Sequence, residues 1–125
     1  MDFEFYRCSH CGNIIAFAKN TGVPVMCCGQ KMEKLVPNTT EAATEKHIPV
    51  IERNGNKVTV KVGSAPHPML EEHYIEWICL HTKEGNQRKC LKPGDNPEAC
   101  FMLCENDEVI EAMAYCNLHG LWKNI

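Results

Sequence analysis

The sequence predicts a mainly β chain built in two parts, a small metal-knuckle unit over residues 1–36 and a β-sandwich over residues 41–125, joined through residues 37–40. Three observations predict it. Four cysteines crowd the first 36 positions as Cys8-x-x-Cys11 and Cys27-Cys28, each second cysteine followed by glycine. Beyond residue 40, short runs rich in Val, Ile and aromatic residues recur with Gly and Pro between them, the pattern of a sandwich. No stretch has the 3.6-residue periodicity of a long helix.

Composition narrows the functions. The chain has 125 residues, 44% apolar side chains and a formal net charge of -3, enough for one real core plus an appendage. Its 13 Lys and Arg are scattered and form no basic stripe, which argues against a nucleic-acid partner. Spanning a bilayer takes ~20 consecutive apolar residues, and no run approaches that length. The start, Met1-Asp2-Phe3-Glu4, lacks the basic-then-apolar layout of a signal peptide, so the expected location is the cytoplasm. There, nine cysteines point to metal ligation rather than to disulfides.

In the first unit, residues 3–7 alternate in polarity and lead into Cys8-Ser9-His10-Cys11-Gly12-Asn13. Gly12 can supply the positive φ that lets backbone N–H groups point at the sulfurs and favour thiolates. Cys27 and Cys28 are a poor disulfide, since neighbouring side chains in an extended chain diverge, and they chelate one ion only with strain. A four-sulfur set suits zinc or iron. Haem attachment needs His after the second cysteine, where Gly12 stands, and a thioredoxin-like pair needs a βαβ context that this segment cannot hold. Below ~40 residues a core is too small to sustain itself, so metal binding becomes folding free energy.

After Val36-Pro37-Asn38-Thr39-Thr40 the pattern turns to β. Residues 48–53 and 57–62 flank Asn54-Gly55, a hairpin signal, with Val58, Val60 and Val62 on one face. Residues 74–80 are apolar on both faces, as in a buried strand. Further strands are expected over 87–91, 99–104 and 109–115. His47 opens the first strand, His67 lies between Pro66 and Pro68, which restrict its backbone, and His73 starts the buried strand. At the end, Cys116 and His119 stand three apart on a turn that brings both to one side. Taken singly, each of these histidines reads more simply as a satisfied core or surface residue. His10 and His81 are expected to face solvent.

Taken together, these residues resemble the desulfoferrodoxin-type superoxide reductases over essentially the whole chain. The resemblance is carried by the CxxCG and CCG turns, Glu45-Lys46-His47-Ile48-Pro49, His67-Pro68-Met69, His73-Tyr74-Ile75, Tyr115-Cys116-Asn117-Leu118-His119-Gly120 and Trp122. It implies a desulforedoxin-like domain holding iron on Cys8, Cys11, Cys27 and Cys28, followed by an immunoglobulin-like sandwich with a mononuclear iron. There His47, His67, His73 and His119 would be equatorial ligands and Cys116 the axial one. It also implies a homodimer, reduced by rubredoxin or a similar donor. Cys90, Cys100 and Cys104 depart from the pattern. Buried, they would be harmless small hydrophobes; exposed, they would be open to oxidation.

The implied activity is reduction of superoxide, by one electron and two protons, to hydrogen peroxide without release of dioxygen. It requires an ion that changes oxidation state, which zinc cannot do and iron can. An acidic protein repels an anionic substrate, so Lys46 is the candidate for steering it, with Glu45 as the carboxylate that closes the open position on ferric iron. Backbone N–H groups of Leu118 and His119 are candidates to bond the Cys116 sulfur and tune it. An electron carrier using only the four-cysteine centre, or a zinc-stabilised interaction module, are the competing readings. Counting the iron and zinc bound per chain separates the three.

Overall fold

The computed structural model describes residues 3–125 and divides into two compact units, Met1–Val36 and Pro37–Ile125. In the first, β1 (Phe5–Arg7), β2 (Ile14–Ala16), β3 (Met26–Cys27), β4 (Gln30–Lys31) and β5 (Glu33–Lys34) are two or three residues long. β1 lies between β2 and β5, antiparallel to both, and β3 pairs with β4 across the Cys28-Gly29 turn. Only β1 covers an expected strand; the others are too short for polarity to alternate visibly. Among the described residues, Phe5, Cys8 and Met32 are this unit's buried apolar side chains. At ~1.5–3 kcal/mol for each fully buried side chain, so few cannot offset the ordering of the segment.

The second unit opens with a single helical turn, α1 (Thr44–His47), and continues through β6 (Pro49–Asn54), β7 (Lys57–Val62), β8 (Ile75–Thr82), β9 (Gly85–Cys90), β10 (Glu98–Met102), β11 (Val109–Cys116) and β12 (Gly120–Lys123). Two antiparallel sheets, ordered β10-β7-β6 and β12-β11-β8-β9, form the sandwich. Val58, Val60, Val62, Ala99 and Phe101 of the first sheet share one core with Ile78, Leu80, Ala112, Ala114 and Cys116 of the second. This agrees with the expected β class. His47, expected to open a strand, closes the helical turn instead.

Two irregularities shape the second unit. Asn54 pairs with Lys57, so the β6–β7 turn is Gly55-Asn56, one residue beyond the expected Asn54-Gly55, with Gly55 at φ +62°. The β8–β11 register slips between Tyr115↔Trp77 and Cys116↔Ile75. That slip lets Ile75 join Ile78 and Leu80 in the core, although its parity along the strand differs from theirs. Cys116 therefore ends β11 pointing inward. At the β12 edge, Asn38 donates its backbone N–H to Leu121 O at 3.1 Å and its Nδ2 to Lys123 O at 3.1 Å, and its Oδ1 accepts the Lys123 N–H at 2.8 Å.

Cys79 is buried, and burial pushes its thiol up to about 12, whereas Cys90, Cys100 and Cys104 are exposed and thus open to oxidation. The Arg88 guanidinium lies 3.4 Å from the Cys90 sulfur. Contrary to expectation His81 does not face solvent: its side chain is 14% exposed and its Nδ1 lies 3.3 Å from Glu111 Oε2. It sits on the same face of the sheet as Glu111, opposite it in register, which explains the partial burial. His10 is exposed, as expected. Among the described residues no helix is long and apolar enough to cross a membrane.

Candidate metal centres

The first unit brings Cys8, Cys11, Cys27 and Cys28 together, their sulfurs all within 4.8 Å of one another. The Cys11 N–H points at Cys8 Sγ at 3.5 Å, and the Asn13 N–H at Cys11 Sγ at 3.5 Å. Gly12, at φ +82°, makes this turn possible. Cys28 adopts φ +52°, a region that side chains rarely enter, and this turn puts two adjacent thiols on one site. The Cys11 N–H holds the Cys8 thiol down at about 6 against the opposing effect of burial. Cys28 is pushed up to about 12, first by its hydrogen bond with the Cys11 side chain and then by burial.

The second unit arranges four imidazoles as a near-square. Ring centroids are 4.6 Å apart for His47–His67, 4.7 Å for His67–His73, 5.1 Å for His73–His119 and 4.9 Å for His119–His47, with a 6.4 Å diagonal between His47 and His73. Adjacent rings cross at 78–83°. Cys116 Sγ lies within 4.8 Å of ligand atoms of His47, His67 and His73, and 3.8 Å from His119 Nδ1. The expected set of four nitrogens and one sulfur is thus assembled from α1, the 63–74 segment and the β11–β12 turn.

Hydrogen bonding decides what this set can hold. His47 Nδ1–H donates to Ala43 O at 2.8 Å and His67 Nδ1–H to Pro68 O at 2.6 Å. Each neutral ring therefore presents a lone pair at Nε2, yet the two Nε2 atoms stand only 3.1 Å apart. Two acceptors facing each other repel unless a cation or proton lies between them. His73 Nε2 is buried without any hydrogen-bond partner, which carries a cost unless it too has a cation to bind. Burial is the first cause lowering the imidazoles of His47, His67 and His73, with His67 down to about 4, so at neutral pH they are unprotonated donors. Burial pushes the Cys116 thiol up, opposed by the backbone N–H groups of Leu118 and His119, the two donors expected from the sequence. The donor set fits a soft or borderline transition-metal ion.

Local packing fixes these groups. An added Cβ on Gly63 would lie 2.7 Å from Glu45 O and 2.9 Å from Ile48 O, so only glycine lets the 63–65 loop approach α1. Glu45 O then accepts from the Ala65 N–H at 2.8 Å and the Ser64 hydroxyl at 3.2 Å. Trp122 packs on His47 with centroids 4.9 Å apart, and its Nε1–H donates to His119 O at 3.1 Å. Glu45 and Lys46 are exposed on α1. The charge of Glu45 acts on His47 and that of Lys46 on His73, each as a minor influence beside burial. Sequence reasoning missed Gly63, Ser64 and Asn117. A glycine ending a Val-rich strand and an Asn between two ligands were the available signals.

A mainly β chain with a four-cysteine knuckle and a separate four-imidazole, one-thiolate square is a two-centre non-haem metalloprotein. Residues 39–125 match the family model described as desulfoferrodoxin, and residues 2–35 match that of the desulfoferrodoxin N-terminal domain. The desulfoferrodoxin homolog of Archaeoglobus fulgidus is 49% identical over 121 residues, covering 97% of this chain and 95% of the relative. The desulfoferrodoxin of Nitratidesulfovibrio vulgaris is 47% identical, covering 97% of this chain and 94% of its own length. The crystal structure of the superoxide reductase from Treponema pallidum superposes with a TM-score of 0.84 at 40% identity, covering 100% of both chains. The chain belongs to the desulfoferrodoxin family.

Proposed function

We propose that the chain is a superoxide reductase, which converts superoxide to hydrogen peroxide with one electron and two protons and releases no dioxygen. The observation that carries this is the square of imidazoles closed around facing lone pairs, with a buried thiol beside it. In this reading His47, His67, His73, His119 and Cys116 hold one iron, and Cys8, Cys11, Cys27 and Cys28 hold another. Residues 1–36 are then a desulforedoxin-like domain and 41–125 the catalytic domain, joined by 37–40. Iron in the second set supplies the one-electron change between ferrous and ferric states that the reaction needs.

The chain's own residues do the rest. Lys46 offsets the net charge of -3 where an anion must approach, and its exposure on α1 leaves it free to meet the anion in solvent. Glu45, exposed beside it on α1, would be the carboxylate available to an iron held by the second set. Protons reach peroxide from water at this exposed turn. The N–H groups of Leu118 and His119 oppose the effect of burial on the Cys116 thiol and would stabilise its sulfur once a cation has displaced the proton. A rubredoxin-like protein supplies electrons, the chain acts as a homodimer, and the setting is the cytoplasm of an anaerobe. Pulse radiolysis of the reduced protein tests the reaction. One peroxide per superoxide consumed, with no oxygen evolved, is the expected result, and oxygen release would establish dismutation instead.

A further inference from the structure

The second metal set is drawn from separate stretches of chain, and something outside the ligands must register them. His73 has the least regular support. It lies on a loop that reaches β8 only at Ile75, and its own backbone is tied merely to Leu70, through Leu70 N–H to His73 O at 2.9 Å and His73 N–H to Leu70 O at 3.1 Å. That local turn does not fix where His73 stands relative to Cys116 and His119.

Asn117 supplies the missing tie. Its backbone N–H donates to Tyr74 O at 3.2 Å, its Oδ1 accepts the Tyr74 N–H at 3.0 Å, and its Nδ2 donates to Glu72 O at 3.0 Å. These bonds grip the residues on both sides of His73. Asn117 is also covalently bound to Cys116 and two residues from His119, in the loop between the paired residues Cys116 and Gly120. The side chain thus spans the point where the β8–β11 ladder stops, at Cys116↔Ile75, and continues it by one rung to the His73 segment. Only an amide does this, because one end must accept from an N–H and the other must donate to a carbonyl.

We infer that Asn117 is a positioning residue that sets the distance of the His73 imidazole from Cys116 and His119, and so preorganises the metal set without touching it. This rests on reading the five side chains as one metal-binding set. A group that orients a ligand typically contributes ~10–100-fold to metal affinity. The buried, partnerless Nε2 of His73 is the atom it aims.

The test is a cobalt(II) titration of the metal-free full chain, whose visible bands separate a nitrogen-rich from a four-sulfur environment. Asn117→Ala is made in the native and in the His73→Ala background. The expected result is a ~10–100-fold loss of cobalt affinity at the nitrogen-rich site in the native background, with unchanged binding at the four-sulfur site. In the His73→Ala background the same change should cost less than ~2-fold, since residues acting through one another are not additive. Equal losses in both backgrounds, or none in the native one, would overturn the inference. Should Asn117→Ala not fold, Asn117→Asp keeps the acceptor for Tyr74 and loses the donor to Glu72. Its added charge affects both backgrounds alike, so the same difference between them is diagnostic. Cobalt binding does not involve superoxide, so the coupling stands or falls separately from the proposed reaction.

Discussion

The two metal sets solve opposite problems. Among the described residues of the first unit, Phe5 and Met32 are the buried apolar side chains besides the ligand Cys8, two of the four sulfurs belong to exposed residues, and the cation must hold the fold. In the second, the sandwich core stands behind the site, with His47 and His67 each 3% exposed and Cys116 fully buried. There the fold holds the cation's place. The difference extends to protons. Cys28, pushed up to about 12, must lose a proton before it can bind, as must Cys116, which burial also pushes up, whereas burial holds the imidazoles of His47, His67 and His73 towards the neutral form. A site that is built by its metal and a site that awaits it can thus share one chain.

Four changes would break or sharpen this contrast. The largest effect is expected from Cys116→Ala, which removes a direct ligand. Superoxide reduction measured by pulse radiolysis should fall by more than the ~100-fold that marks loss of a ligand's supporting partner. The sandwich should keep its circular dichroism, because its core does not depend on the ion. Retained activity would refute the ligand role.

Gly63→Ala comes next. The new methyl meets backbone oxygens at 2.7 and 2.9 Å, which cannot swing aside as a side chain can. A loss of ~1–3 kcal/mol in denaturant unfolding of the metal-free chain is expected, with α1 displaced and iron more readily removed by a chelator. Unaltered stability would mean that the loop gives way cheaply.

Lys46→Ala should slow the second-order reaction with superoxide about 10-fold at low salt and flatten its ionic-strength dependence, leaving the iron spectrum as it was. An unchanged rate removes Lys46 from the mechanism. The smallest effect on catalysis is expected from Cys28→Ser. It should empty the first centre and unfold residues 1–36, seen as loss of one iron per chain, while superoxide reduction by pre-reduced protein persists.

Acidity should separate the units as well. His67 titrates at about 4 when folded and at 6.5 when free, so between these values the unfolded chain binds more protons. The metal-free sandwich is therefore fully stabilised by this group above 6.5 and loses that contribution as pH falls towards 4.

What the sequence made legible follows from chemistry that few residue types can perform. Thiols and imidazoles are scarce, so Cys8-x-x-Cys11, Cys27-Cys28 and Cys116-x-x-His119 stood out, and the structure brings each expected ligand into its set. The alternating valines of β7 and the doubly apolar β8 were readable because strands of six and eight residues are long enough to display a period. Strands of two or three residues in the first unit are not. The single turn of α1 has no periodicity to detect, so His47 was read as opening a strand. His81 was misplaced because its partner, Glu111, is 30 residues away and known only from pairing of β8 with β11. Gly63 and Asn117 matter through backbone atoms of other segments, and no local pattern announces such contacts.

Asn38 carries a practical consequence. Its three bonds to Leu121 and Lys123 close off peptide groups of β12 that would otherwise be open to any passing chain. A fragment of the sandwich cut to begin at residue 41 would leave that border unsealed and invite clumping, whereas one begun at residue 37 carries its own hem.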